Sequence, residues 1–278
     1  MTDNPLPVDL VETVARALAE DVSAGDLTAA LIPKNEVAAA HIIAREPGVL
    51  AGTPWAEEVF RQVEPRVRVT WRRHDGDALA PDDVLCELAG PARGTLTAER
   101  TALNFLQTLS GTATEARRYA EAVAGTNATV IDTRKTLPGL RSAQKYAVAI
   151  GGCGNHRMGL YDFILIKENH ISAAGGVAAA LAAANARNAG VPIEIEVETL
   201  GQLEEALAAD AERILLDNFD LADLREAVHV TAGRAKLEAS GNVEFERLRE
   251  IAETGVDFIS VGALTKHVRA LDLSLRFL

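Results

Sequence analysis

The sequence predicts an α/β protein: an incomplete parallel α/β barrel of about six or seven strands, preceded by a smaller α+β domain. Three observations predict it. From about Thr129 short apolar runs alternate with amphipathic stretches, the rhythm of repeated β-α units with right-handed crossovers. The runs are apolar throughout, as strands covered on both faces are. Nearly every run ends in a charged or polar group, and the C-terminal strand ends of a barrel are where it builds its site. A doubly wound sheet would gather those groups at one switch point instead. About 150 residues remain for the barrel, against roughly 250 for a full eight-stranded one, so it is shortened.

Element by element, Leu10 to Ala19 has helical spacing. Val37–Arg45, Val67–Trp71 and Val84–Leu88 alternate or carry β-branched residues between Gly, Pro and Asp, and read as strands. HDGDALAPDD (74–83) is a turn-rich connector. Thr97 is the expected N-cap of a long helix from Ala98 to about Ala124, with Glu99 in its first turn. The barrel strands follow at 129–132, 163–167, 192–198, 213–217, 235–240 and 257–262. Helices lie between most of them, including Gly176–Ala189 and Leu200–Ala209.

At 278 residues the chain can bury a core without a disulfide or metal staple. Its two cysteines, Cys86 and Cys153, are too few and too far apart for a metal motif or a disulfide framework, which favours a reducing compartment. The N-terminus shows no basic region followed by an apolar run, and no apolar stretch approaches the ~20 residues of a membrane span. A cytoplasmic protein is expected. Abundant alanine with only 4% aromatics points to helices packed through small side chains.

The formal charge is −12, yet Asp132 to His170 holds six Lys or Arg against three acids, a net +3. A cationic island in an acidic chain suits a small, strongly anionic ligand. Nucleic acid would need a broad basic face.

The strand ends carry the candidate residues. Asp132-Thr133-Arg134-Lys135 offers a planar fork and a point charge to carboxylate or phosphate, or else a solvated loop. GGCGNHR (151–157) places His156 and Arg157 after a Gly-rich turn that lets backbone N–H groups approach an anion. Cys153 reads as a small residue among glycines rather than a nucleophile. Lys167 follows four apolar residues and is expected to point into a cavity, as anion clamp or Schiff-base nucleophile, or to sit in a rim ion pair with Glu168 or Glu196. Glu194, Glu196 and Glu198 share one strand face, and Asp217 ends its own strand. Buried carboxylates need cations, a metal or ligand hydroxyls as partners. Ser240-Gly241-Asn242 and Gly262-Ala263-Leu264 sit between strand and helix at the last two junctions, where helix N-termini and close backbone approach suit phosphate. Together these groups suit a phosphorylated sugar with Mg²⁺ and a second anionic substrate.

The segments ERTALNFLQTLSGTAT, DTRKTLPGLR, KYAVAIGGCGNHRMGLYDFILIKENHI, EIEVETL, LLDNF, EASGNV and GVDFISVGALTKH closely resemble the quinolinate phosphoribosyltransferases, over nearly the whole chain from about residue 25. The resemblance implies conversion of quinolinate and phosphoribosyl pyrophosphate to nicotinate mononucleotide, pyrophosphate and CO₂ in NAD biosynthesis. It implies an N-terminal α/β sandwich domain over 1–112, a barrel over 113–265 and a C-terminal segment of about 266–278 packing back on the first domain. It also implies a cytoplasmic homodimer in which each N-terminal domain caps the partner's barrel. By the same resemblance Arg134, His156, Arg157 and Lys167 line the dicarboxylate site, and Arg100 joins them from the neighbouring subunit. Lys135 lies between the substrates. Glu196 and Asp217 face the ribose hydroxyls and Mg²⁺, with Lys135, Glu196 and Asp217 the catalytic set. Thr133, Ser240, Gly241, Asn242, Gly262, Ala263 and Leu264 complete the substrate contacts, with Ser240, Gly241, Asn242 and Gly262 around the 5′-phosphate. Arg141 and Lys145 take no role and are expected on a helix surface. Two rival readings are a Schiff-base aldolase using Lys167 and a silent relative that binds a phosphorylated metabolite.

Overall fold

A computed structural model describes residues 5–187 and 190–278. In chain order the elements are α1 (Leu10–Asp21), β1 (Val37–Ala44), β2 (Gly48–Val49), α2 (Thr53–Val63), β3 (Arg68–Trp71), β4 (Ala78–Leu79), β5 (Val84–Pro91), α3 (Ala92–Ala122), β6 (Thr129–Ile131), α4 (Arg141–Gly151), β7 (Ile164–Ile166), α5 (Glu168–Ala174) and α6 (Val177–Arg187). There follow β8 (Ile193–Val197), α7 (Leu200–Ala208), β9 (Arg213–Asp217), α8 (Leu221–Thr231), β10 (Lys236–Ser240), α9 (Leu248–Ala252), β11 (Phe258–Ser260), α10 (Ala263–Lys266) and β12 (Leu273–Phe277).

These elements fall into two compact units. The first comprises Met1–Arg117, Thr136–Gly152 and Ala263–Leu278. Its antiparallel sheet has the order β12-β1-β5-β3. The C-terminal strand β12 pairs with β1, Ile42 opposite Leu275. The core gathers Ile42, Leu85 and Leu88 from the sheet, Trp55, Val59 and Phe60 from α2, and Leu106 and Leu109 from α3. Ala143, Tyr146 and Ala147 of α4 belong to the same cluster, with Trp55 edge-on to Tyr146 at 5.1 Å. That packing is why residues 136–152 group with the first unit. Lys145, expected on a helix surface, is fully buried.

α3 begins six residues before the expected start, so Thr97 is not its cap; its hydroxyl donates to Asp26 Oδ2 at 2.8 Å. Gly94 reads as a helix breaker, but here it makes room for the Glu64 side chain, which a Cβ would meet at 2.4 Å. Arg93 ties the first turn down by donating to the carbonyls of Ile32 and Ala30. α2 went unread in the sequence. Its first turn is held by Asp75, whose carboxylate accepts from Gly52 N and Thr53 N.

The second unit comprises Arg118–Lys135 and Cys153–Gly262. Its six strands are all parallel, in the order β6-β11-β10-β9-β8-β7. Each expected barrel strand is present, β9 with its expected bounds and the other five trimmed by one to three residues. Ile195, Val197, Ile214, Leu216 and Leu237 are buried along the sheet, as strands covered by crossover helices require. The helix expected over 176–189 runs from Val177 to Arg187, and its last two positions lie outside the described residues.

Candidate active site

Within the second unit the polar strand ends converge. At β7 and β8, Lys167 Nζ donates to Glu196 Oε2 at 2.6 Å. Lys167 is thus half-exposed at the rim and paired, rather than sunk in an apolar cavity as a Schiff-base lysine requires. Glu196 is largely buried, whereas Glu198 is exposed beyond the strand. Asp217 ends β9 directly beside Ser240 of β10. Burial, and then the charge of Glu196, push the Asp217 carboxyl above its ordinary range, against the pull of Lys167, Asn218 and Lys135.

Asn218 stands out although it takes no role from the sequence. It adopts a left-handed φ of +58°. Its Nδ2 donates to Asp217 Oδ2 at 2.7 Å, its Oδ1 accepts from Asn242 Nδ2 at 3.3 Å, and its N donates to Ser240 O at 2.9 Å. One side chain therefore links the β9 carboxylate to the Ser240-Gly241-Asn242 turn. Gly241 has φ +89°, and a Cβ there would meet Asn218 Oδ1 at 2.2 Å. Gly262 likewise gives its space to Lys135, whose Cδ a Cβ would meet at 2.8 Å, with Thr133 Oγ1 at 3.4 Å. The helices after these turns are short: a 3₁₀ turn at Phe245–Arg247 with five residues in α9, and four in α10. The expected helix-dipole contribution to phosphate binding is therefore small, and local N–H groups and side chains remain.

The other flank is built on Asp132, fully buried at the end of β6. Its carboxylate accepts from Asn155 Nδ2 at 2.7 Å and from His156 N at 2.9 Å. Arg157 follows, and burial and then the neighbouring Arg134 pull its guanidinium below the usual arginine range. The carboxylates of Asp162, Glu194 and Glu196 act on the same guanidinium in the opposite sense. His156 departs from the expectation of a cationic ligand. Its Nδ1 accepts from Arg157 N at 2.6 Å and its Nε2 faces Glu194 Oε2 at 2.9 Å, so both ring nitrogens serve the protein. Glu194 in turn accepts from Arg213 Nε at 2.7 Å, and Arg213 also bonds Glu238. His156, Glu194 and Glu238 lie close enough to ligate a metal, but the guanidinium of Arg213 already supplies the counter-charge for both carboxylates.

Cys153 is no nucleophile: burial, and then the charge of Asp132, push its thiol up to about 12. Arg100, Ala263 and Leu264 belong to the first unit. Arg100 is exposed on α3 and Leu264 is buried, so only the backbone of Leu264 has polar groups to offer a ligand.

Residues 26–110 match the N-terminal domain of quinolinate phosphoribosyl transferase, and residues 112–276 match its C-terminal domain. The chain belongs to the quinolinate phosphoribosyltransferase family. A nicotinate-nucleotide pyrophosphorylase (carboxylating) of Mycobacterium leprae is 45% identical over 271 residues, covering 95% of each chain. A chloroplastic one of Arabidopsis thaliana is 42% identical, covering 96% of this chain and 82% of its own. The solved nicotinate-nucleotide pyrophosphorylase of Francisella tularensis superposes with a TM-score of 0.94 at 44% identity, covering 99% of this chain and 98% of that one. In the family's terms the second unit, with its open parallel sheet, carries most of the expected phosphoribosyltransferase residues, and the sandwich-type antiparallel sheet lies in the first.

Proposed function

We propose that the chain transfers phosphoribosyl from phosphoribosyl pyrophosphate to quinolinate with loss of CO₂, giving nicotinate mononucleotide and pyrophosphate for NAD biosynthesis. The observation that carries this reading is the division of the second unit's site. Arg134 and Arg157 crowd one flank, and the Lys167–Glu196 pair, Asp217 and two Gly turns form the other.

The chemistry fits each part. Quinolinate brings two ortho carboxylates, and Arg134, Arg157 and Lys167 offer charge-assisted hydrogen bonds to them. The C1′–oxygen bond to pyrophosphate breaks with its electron pair leaving on pyrophosphate, and positive charge develops on the ribose. Glu196 and Asp217 stabilise that charge and accept from the ribose hydroxyls. The pyridine nitrogen then bonds C1′. The ring becomes cationic, so as CO₂ leaves, the electron pair of the broken C–C bond stays on the ring carbon beside the charged nitrogen, and that carbon then takes a proton from solvent. Lys135, against Gly262, reaches the place where the two substrates meet, and no side chain acts as a nucleophile. The turns at Ser240-Gly241-Asn242 and Gly262 hold the 5′-phosphate.

Glu196 and Asp217 are like charges close enough to raise the Asp217 carboxyl, an arrangement that a divalent cation relieves. Glu196 and Asp217 would hold a Mg²⁺ brought in with phosphoribosyl pyrophosphate, which would offset pyrophosphate charge. Arg100 is exposed on its helix and available to a second copy of the chain, which supports a homodimer with a shared site. Among the described residues no helix is long and apolar enough to cross a membrane. Cys86 and Cys153 are buried thiols, which fits a reducing cytoplasm.

Incubation with quinolinate, phosphoribosyl pyrophosphate and Mg²⁺ should release CO₂ and form the mononucleotide in equal amounts. No turnover would sink the reading.

A further inference from the structure

Beneath the strand-end groups lies a buried charged layer that the reaction does not use. Successive residues on one strand face lie two apart, about 6.6 Å along the strand. On β8 Glu194 underlies Glu196, on β10 Glu238 underlies Ser240, and on β9 Arg213 begins the same face that ends in Asp217. Glu194 and Glu238 are fully buried, and Arg213 bridges them. The guanidinium is itself packed between Phe258, at 4.3 Å, and Phe163, at 5.5 Å. Removing two carboxylates from water is expensive, and an apolar floor of equal volume would stabilise the fold as well or better. Something other than stability accounts for their placement.

His156 joins the layer to the strand-end site. His156 Nε2 faces Glu194 Oε2 at 2.9 Å and Glu238 Oε1 at 3.7 Å, and that Glu238 oxygen has no hydrogen-bond partner of its own. At the other side of the ring Nδ1 accepts from the Arg157 backbone. This pattern needs the tautomer with its proton on Nε2, because a proton on Nδ1 would oppose the Arg157 N–H. With the proton on Nε2, His156 donates to Glu194, and Arg213 bridges Glu194 to Glu238. Burial, and then the charge of Glu194, push the Glu238 carboxyl up to about 7, against the pull of His156 and Arg213.

We infer that Glu194, Arg213 and Glu238 are positioning residues. They fix the ring and tautomer of His156, and through Nδ1 they fix the backbone at Arg157, so that its guanidinium is held against Arg134 to receive the dicarboxylate. The inference rests on the proposed activity, because it assigns Arg157 to quinolinate.

The test compares Glu194→Gln and Arg213→Met with wild type in KM for each substrate, in melting temperature and in the ¹⁵N imidazole signals of His156, assigned by their loss in His156→Gln. A displacement of order 1 Å at a binding group costs up to ~100-fold, and loss of an outer support costs ~10-fold or more. The expected result is a rise of about tenfold in KM for quinolinate with less than about twofold for phosphoribosyl pyrophosphate. Wild-type His156 should show Nε2 protonated and Nδ1 bare, and the variants a mixture. Glu238→Gln, which mimics the neutral acid, should raise the quinolinate KM less than Glu238→Ala. Equal rises in both KM values, a lower melting temperature with both KM values unchanged, or a proton on Nδ1 in wild type would each overturn the inference. The wild-type ¹⁵N signature decides even if the variants do not fold. Absence of wild-type turnover would instead strike the proposed function.

Discussion

Gly241→Ala probes the join between the ribose carboxylate and the phosphate turn. Two costs are separable. The first is conformational: at φ +89° an L-residue pays about 1 kcal/mol. The second is steric. The new Cβ would lie 2.2 Å from Asn218 Oδ1 and 2.9 Å from its backbone N, so Asn218 must move. Its bonds to Asp217 and Asn242 are then lost, at about 1 kcal/mol for the pair after solvent replaces them. The sum is about 2 kcal/mol, or a fall of about 4 °C in melting temperature for a chain of 278 residues. Gly125 supplies the internal control. It has φ +80° with nothing within 4 Å of a built Cβ, so Gly125→Ala pays the first cost alone, about 2 °C. The functional readout is KM for phosphoribosyl pyrophosphate, expected to rise about tenfold in Gly241→Ala and not at all in Gly125→Ala. Should the two variants melt together and share one KM, the proposed coupling of Asn218 to the turn is refuted.

Three other outcomes are expected. Asn218→Ala removes the same link without a clash, and should raise KM for phosphoribosyl pyrophosphate several-fold while sparing KM for quinolinate; steady-state kinetics in each substrate decide. Asp217 is held above its ordinary range, so the folded chain binds its proton more tightly than the unfolded one, and the stability this contributes at low pH is lost as pH rises through the folded value. Asp217→Asn should therefore abolish turnover yet melt higher than wild type near pH 7, with the difference shrinking as pH falls through the carboxylate range; an unchanged or lower melting temperature at neutral pH would contradict it. Finally, if Arg100 completes a partner's site, mixing inactive Arg100→Ala and Lys167→Ala proteins should restore part of the activity, and no recovery after confirmed subunit exchange would place the whole site in one chain.

The barrel was legible because its signal is local. β9, RILLD, is apolar for three residues and closes on an acid, and both its bounds and its buried face follow from those five letters. Parallel strands need no help from distant sequence to look like strands. The capping of α2 is the opposite case: Asp75 serves it from 22 residues away, so no window around Thr53 contains the signal. The early start of α3 was hidden for the same reason, since Gly94 is acceptable only because Glu64 occupies the space. At the site, charge at strand ends singled out Lys167, Glu196 and Asp217, the groups that the structure brings together. Asn218, part of the polar end of β9, takes no role from the sequence because a left-handed Asn leaves no mark in a pattern of apolar residues.

Arg213 shows why composition alone could not order these groups. As the first residue of a strand it reads as a solvated charge, and 19 and 25 residues separate it from the two glutamates it bridges. Only the parallel register, with Lys236 beside Arg213 and Ser240 beside Asp217, stacks the charges into a lower layer and an upper one. The upper layer is paired across the rim with Lys167, while the two carboxylates of the lower layer are fully buried and bridged by Arg213. A carboxylate at the rim exchanges partners with substrate, but one in the floor, with its guanidinium fixed between two rings, does not. That difference in exchangeability is what suits Glu196 to chemistry and Glu194 to holding His156, although the two stand two residues apart on the same strand face.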